Sequence, residues 1–221
     1  MKKIVFSLIL ILSGISVYSQ DFEPSFTFGI NAGMDHNLNA YQFQKMTNPA
    51  IYEYYGKADQ YNIGVDFAFA VTKKLRPRVE FRYVNCSYGV RWNDPAYNFV
   101  KTTWNVNNFD FNLHLDYLLF TSKKLDIYGS PGLKFEFYTG DFMRTTQKNG
   151  SSSTDRFNIL ESAFPTSIAG GAFAMIFKYN ITKHIGFTVT PEYTLFFRDY
   201  VSSNNKAYQR FSANAGFEFN F

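Results

Sequence analysis

The last residues of the chain, Arg210-Phe211-Ser212-Ala213-Asn214-Ala215-Gly216-Phe217-Glu218-Phe219-Asn220-Phe221, decide the fold. In an extended strand successive side chains point to opposite sides. Phe211, Ala213, Ala215, Phe217, Phe219 and Phe221 therefore share one face, and Arg210, Ser212, Asn214, Gly216, Glu218 and Asn220 share the other. A helix would scatter both sets around its circumference. The preceding segment repeats the pattern, with Ile185, Phe187, Val189, Pro191, Tyr193, Leu195 and Phe197 against Gly186, Thr188, Thr190, Glu192 and Thr194.

Traced towards the N-terminus, the same alternation predicts strands near 26–36, 60–71, 77–90, 104–120, 125–139, 165–179, 185–198 and 208–221. Each is long enough to cross a bilayer at a tilt, which takes ~9–11 residues. The links alternate in length. Thr72-Lys73-Lys74-Leu75, Thr121-Ser122-Lys123-Lys124-Leu125 and Thr182-Lys183-His184-Ile185 are short and polar, whereas the links near 37–59, 91–103, 140–164 and 199–207 are longer. Short periplasmic turns and long extracellular loops are the asymmetry of outer-membrane barrels.

Composition decides which face meets solvent. The chain has 26 Phe and 16 Tyr, yet its mean hydropathy is negative. A water-soluble barrel would have to pack those rings into a lumen that eight strands leave only wide enough for ordinary side chains. Turned inside out, the rings face lipid and the small and polar residues fill the centre. The predicted fold class is all-β, a transmembrane antiparallel up-and-down β-barrel of eight strands, or ten if the aromatic first loop holds another hairpin. It must be closed, because hydrocarbon offers no partner to a free backbone edge. Pro131 and Pro191 fall inside predicted strands and lack the ladder N–H, which predicts a β-bulge or a rim position at both.

Residues 1–19 read as a secretory signal peptide: Lys2-Lys3, an apolar run from Ile4 to Leu12, then Val17 and Ser19 at the small-residue cleavage positions. The barrel domain is then 20–221. Loss of Lys2 and Lys3 lowers the formal net charge of +4 by two, so charge gives no case for a nucleic-acid partner. No Cys stands at the cleavage site to carry a lipid, and the single Cys86 closes no intramolecular disulfide.

On the inward faces the alternation places the acids Asp66, Glu80, Asp110, Asp116, Glu136, Glu192 and Glu218 with the bases Arg78, Arg82, Lys134, Lys178 and Arg210. Bare charges in so narrow a space are costly unless paired. The expectation is that Arg78, Arg82 and Arg210 bridge carboxylates on neighbouring strands, giving a polar plug in place of a channel. His114 is the sole mid-strand histidine, flanked on its face by Asp110, Asn112 and Asp116, and is the one candidate general base. No Gly-x-Ser-x-Gly, His-Glu-x-x-His or phosphate-binding glycine loop is present. No catalytic site, cofactor or metal is therefore expected. The function expected is structural or binding, through loops whose Tyr41, Phe43, Tyr52, Tyr54, Tyr55, Trp92, Tyr97 and Phe99 meet lipid, protein or glycan. Small-molecule transport, or lipid modification using His114, is the alternative.

The terminal Ala215-Gly216-Phe217-Glu218-Phe219-Asn220-Phe221, the two Lys-Lys-Leu turns and the opening Phe28-Gly29-Ile30-Asn31-Ala32-Gly33 give the chain a family likeness. It resembles the small outer-membrane β-barrel proteins of Bacteroidota often called PorT-like. That resemblance implies a barrel in the cell outer membrane, in contact with lipid and without a catalytic site. Phe217, Phe219 and Phe221 also look like the C-terminal signal read by the barrel assembly machinery, which makes that machinery a partner during biogenesis.

Overall fold

The structure, a computed structural model, describes residues 24–38, 52–56, 59–92, 99–147, 149–157, 167–197 and 209–221. The expected leader and the loop positions Tyr41, Phe43 and Tyr97 lie outside them. The strands are β1 (Ser25–Asn37), β2 (Tyr52–Gly56), β3 (Asp59–Ala70), β4 (Leu75–Trp92), β5 (Phe99–Thr121), β6 (Leu125–Gln147), β7 (Ser152–Phe157), β8 (Ser167–Asn180), β9 (Ile185–Phe196) and β10 (Gln209–Asn220).

Eight of these form one antiparallel ring, β1-β3-β4-β5-β6-β8-β9-β10, closed by β10 pairing with β1 from Thr27 opposite Asn220 to Asn37 opposite Arg210. Phe221 N adds a last bond to Phe26 O at 2.9 Å. The first long loop does hold a strand, β2, but it adds no hairpin to the ring. It pairs with the far end of β4, Tyr52 opposite Trp92, beyond the stretch of β4 that β3 covers. In the same way β7 pairs with the far end of β6. The turn between β6 and β7 places Gly150 at φ 83°, a left-handed conformation that costs glycine little. The barrel thus has eight members, two of them extended by short partners.

Register fixes its width. Stepping from Phe28 through Phe67, Val79, Leu113, Leu133, Gly171, Leu195 and Gln209 returns to β1 at Leu38, ten residues further along. With the usual rise per residue and strand spacing, that offset tilts the strands by about 40° and sets the backbone about 8 Å from the axis. Side chains from opposite walls meet at the centre.

Burial alternates along the described parts of the eight ring strands with inverted polarity. In β10, Arg210, Ser212, Asn214, Gly216 and Glu218 are buried while Phe211, Ala213, Ala215 and Phe217 are exposed. Exposed rings cover the wall from Phe26, Phe69, Tyr117, Phe120, Tyr179 and Phe221 near the short turns, through Phe67, Phe81 and Phe217, to Tyr61, Tyr83, Phe109, Phe137, Tyr193 and Phe197 towards the other end. The exposed tyrosines stand towards its two ends, Tyr117 and Tyr179 at one and Tyr61, Tyr83 and Tyr193 at the other, as in the girdles that flank the lipid-facing band of an outer-membrane barrel.

The prolines depart from the expectation. Pro131 stays opposite Phe173 and Pro191 opposite Ala213, each in mid-strand. On the other side the ladder lapses and then resumes unshifted, from Gly132 opposite His114 to Gly129 opposite Tyr117, and from Ala174 opposite Glu192 to Phe177 opposite Val189. The register shifts of the β5–β6 pair lie elsewhere, between Phe99 and Lys101, Asn105 and Asn107, and Leu118 and Phe120. A missing N–H interrupts one side of a ladder, and long paired stretches on both sides hold the strand in line without an extra residue.

Candidate functional site

The interior is an ion-pair column. Nearest the turns, Arg76 Nη1 and Nη2 donate to Glu218 at 3.0 and 3.2 Å, and Arg76 Nε donates to Asp116 Oδ2 at 3.0 Å. Lys178 Nζ lies 2.8 Å from Glu218 Oε2 and donates to Asn220 Oδ1 at 2.8 Å. Above them Arg78 Nε is 3.2 Å from Asp116 Oδ2 and Arg78 Nη1 is 3.4 Å from Glu80 Oε2, while Ser130 Oγ donates to Asp116 Oδ1 at 2.6 Å. Asn31 Nδ2 donates to both Asp66, at 3.1 Å, and Glu80, at 3.0 Å.

At mid-height Arg82 clamps two carboxylates, Glu80 at 2.7 Å and Glu192 at 3.0 Å, and Lys134 Nζ lies 2.5 Å from Glu192 Oε1. Towards the far end Arg210 reaches Glu136 at 2.7 Å, Asp110 at 3.4 Å and Asp35 at 3.8 Å, while Asn108 Nδ2 donates to Glu136 Oε1. Arg82, Lys134, Glu136, Asp116 and Arg210 are each at most 1% exposed. Every such charge has left water, so the network holds only because its opposite charges and hydrogen-bond donors are pre-placed by the ring.

Glycines make room for these long side chains. A Cβ on Gly132 would stand 2.5 Å from His114 Nδ1 and from Leu113 O, and one on Gly186 would stand 2.7 Å from Lys178 Cε. Beside Asp66, a cavity of ≈ 10 Å³ lined by Asn31, Glu80, Thr188, Thr190 and Asn214 has room for about one water. The larger depression, ≈ 800 Å³, lies on the outer wall among Ile30, Ile63, Tyr83, Phe187 and Phe217 and is apolar.

All the inward acids and bases read from alternation, from Asp66 to Glu218, are buried in this column together with His114. Arg76 and Asp35 join the column beyond the acids and bases named from alternation. Arg76 lies two residues before Arg78 and so on its face, but the predicted strand began at Pro77. Asp35 sits on the inward face of β1, at the end predicted to open into a loop. The pairing also differs from expectation. Arg78 does bridge to the neighbouring strand, through Asp116 on β5, but Arg82 on β4 meets Glu192 on the opposite wall, and Arg210 on β10 meets Asp110 and Glu136 across the lumen. With the walls this close, an arginine spans to the far side as readily as to the next strand.

His114 is not oriented by Asp110 or Asp116, which are taken by Arg210 and Lys134 and by Arg76 and Arg78. Its nearest carboxylate is Glu192, at 3.7 Å, beyond hydrogen-bond distance. The neighbouring hydroxyls are committed too, Thr194 Oγ1 to Glu192 and Ser130 Oγ to Asp116. Glu80, His114 and Glu192 do present one ligand atom each within 4.8 Å of one another. Their carboxylates already bind Arg82 and Lys134, so a divalent ion would have to enter among cations. The arrangement suits internal charge pairing better than metal binding.

The sequence matches no protein-family model and no curated protein. The fold matches solved outer-membrane barrels. Outer membrane protein OprG from Pseudomonas aeruginosa is 11% identical with a TM-score of 0.54, covering 92% of this chain and 98% of its own. Two others are similar at lower TM-scores. Ail, the attachment invasion locus protein of Yersinia pestis, is 8% identical at 0.46, covering 90% of this chain and 100% of its own. Neisserial surface protein A is 10% identical at 0.42, with the same coverage. The chain has the fold of a small eight-stranded outer-membrane β-barrel.

Proposed function

We propose that the chain is an integral protein of the bacterial outer membrane, exported by the leader at residues 1–19, with a closed interior and a structural or binding role carried by its long loops. The observation that carries this reading is the inversion of polarity: Phe177, Phe217 and Leu133 are 38%, 43% and 46% exposed, while Glu192, Glu136 and Arg210 are at most 1% exposed. Water would penalise that wall and hydrocarbon does not. The ion-pair column supports a plug, and the committed partners of the groups around His114 support a packing role for it without catalysis. The Lys-bearing turns and the terminal Phe series support kinship with the PorT-like barrels of Bacteroidota.

The mature chain is expected in the outer-membrane fraction, with heat-modifiable migration on gels. Recovery as a soluble periplasmic protein would overturn the reading. Purified protein in lipid should show no lipid hydrolysis that His114→Ala abolishes.

A further inference from the structure

Three turns close the ring at one end, and they are built alike. In the first, Val71 N and Thr72 N donate to Leu75 O at 3.0 and 3.3 Å, and Lys74 N and Leu75 N donate back to Thr72 Oγ1 at 3.2 and 3.0 Å. In the third, Ile181 N and Thr182 N donate to Ile185 O at 2.9 and 3.0 Å, and His184 N and Ile185 N donate to Thr182 Oγ1 at 3.1 and 3.0 Å. The second uses Ser122 in the same way: its N donates to Leu125 O at 2.8 Å and its Oγ accepts from Leu125 N at 3.1 Å. The hydroxyl is consumed by its own turn. The next two positions are thereby turned outward, and they are Lys73-Lys74, Lys123-Lys124 and Lys183-His184, all exposed.

These turns join β3 to β4, β5 to β6 and β8 to β9, two strands apart around the ring, and β10 and β1 meet in the remaining quarter. Positive charge is therefore spread around the rim. Among the described residues none of the five lysines lies in a salt bridge. The nearby Asp126 is engaged by Thr121, at 2.6 Å, and Asn180, at 2.7 Å. The turn-end aromatic girdle begins immediately beyond the lysines. Lys124 Nζ lies 5.8 Å from the centroid of the Tyr179 ring on the outer wall, so its ammonium stands at the edge of the lipid-facing band. A lysine at that level has a stem on apolar wall and a head among lipid phosphates.

We infer that this rim binds anionic phospholipid headgroups of the leaflet that faces the turns. The inference rests on the membrane reading above, in which that leaflet is the periplasmic one. Zwitterionic lipids offer the same phosphate oxygens but no net charge, so a ring of ammonium groups selects against them electrostatically. The aromatic girdle sets the depth of the barrel and the lysines choose its lipid neighbours.

The test uses the folded mature protein, residues 20–221, in mixed phosphatidylcholine and phosphatidylglycerol bilayers, with either lipid spin-labelled, and reads the fraction immobilised at the barrel. Phosphatidylglycerol should be preferred on the order of two- to fivefold at low salt, and the preference should fall towards parity at high salt. It should also fall when Lys73, Lys74, Lys123, Lys124 and Lys183 are all changed to Gln, with heat-modifiable migration showing that this variant is folded. Equal immobilisation of both lipids by the native protein, or an undiminished preference in the folded variant, overturns the inference alone. Failure of the folded native protein to insert in any bilayer overturns the membrane reading and the inference together.

Discussion

Arg82 is the residue on which the middle of the interior turns, since its guanidinium is the shared partner of Glu80 and Glu192. Arg82→Met keeps much of the volume but leaves Glu80 and Glu192 buried without the guanidinium they share, at a cost of about 3–5 kcal/mol. Phe177→Leu, on the lipid side, should cost about 1 kcal/mol or less, because one apolar group replaces another against hydrocarbon. Urea unfolding in lipid vesicles measures both, and equal losses would mean that the ion pairs contribute nothing net. Which residues face inward was legible from parity alone, down to His114 and Lys178. Who meets whom was not. The Arg82–Glu192 and Arg210–Glu136 pairs join residues far apart in sequence across the lumen, and alternation along one strand contains no information about the opposite wall.

The last strand shows what an element adds to its residues. Beyond its alternation, β10 seals the ring, and Phe221 contributes through its backbone as well as its ring: its N–H bonds Phe26 O, and its ring centroid lies 6.3 Å from that of Phe26. Deleting Phe221 should lower the folded amount in cells more than Phe211→Ala does. Phe221→Ala separates the causes, since it keeps the backbone bond and removes the ring. If the terminal aromatic is an assembly signal, Phe221→Ala should resemble the deletion in cells yet refold like the native chain in vitro; equal yields for Phe221→Ala and Phe211→Ala would leave only a lipid-facing strand. Strand positions were legible because period-two alternation survives wherever one face meets lipid. Strand ends were less so. β6 runs to Gln147 and pairs with β7, a stretch that the sequence reads as loop, because Thr139-Gly140-Asp141-Phe142-Met143-Arg144-Thr145 lacks the period-two alternation that marks the strands elsewhere.

The whole molecule is a ring whose offset leaves no free axis. Side chains from opposite walls bond at the centre, so an ion would have to part Arg82 from Glu192 and Arg210 from Glu136 to pass. Pure folded protein in a planar bilayer should give no stable stepwise conductance, and such steps from confirmed single insertions would refute the plug. Closure has another consequence, which concerns time. The bond between Thr27 and Asn220 spans 193 positions of sequence, so the first strand made waits for the last one synthesised. A chain stopped before β10 would present two bare edges to hydrocarbon, each unmet N–H and C=O costing several kcal/mol. Emergence of the final dozen residues is thus the checkpoint, and a truncated product is expected to stay in the periplasm for proteolysis, with no half-built form lodged in the membrane.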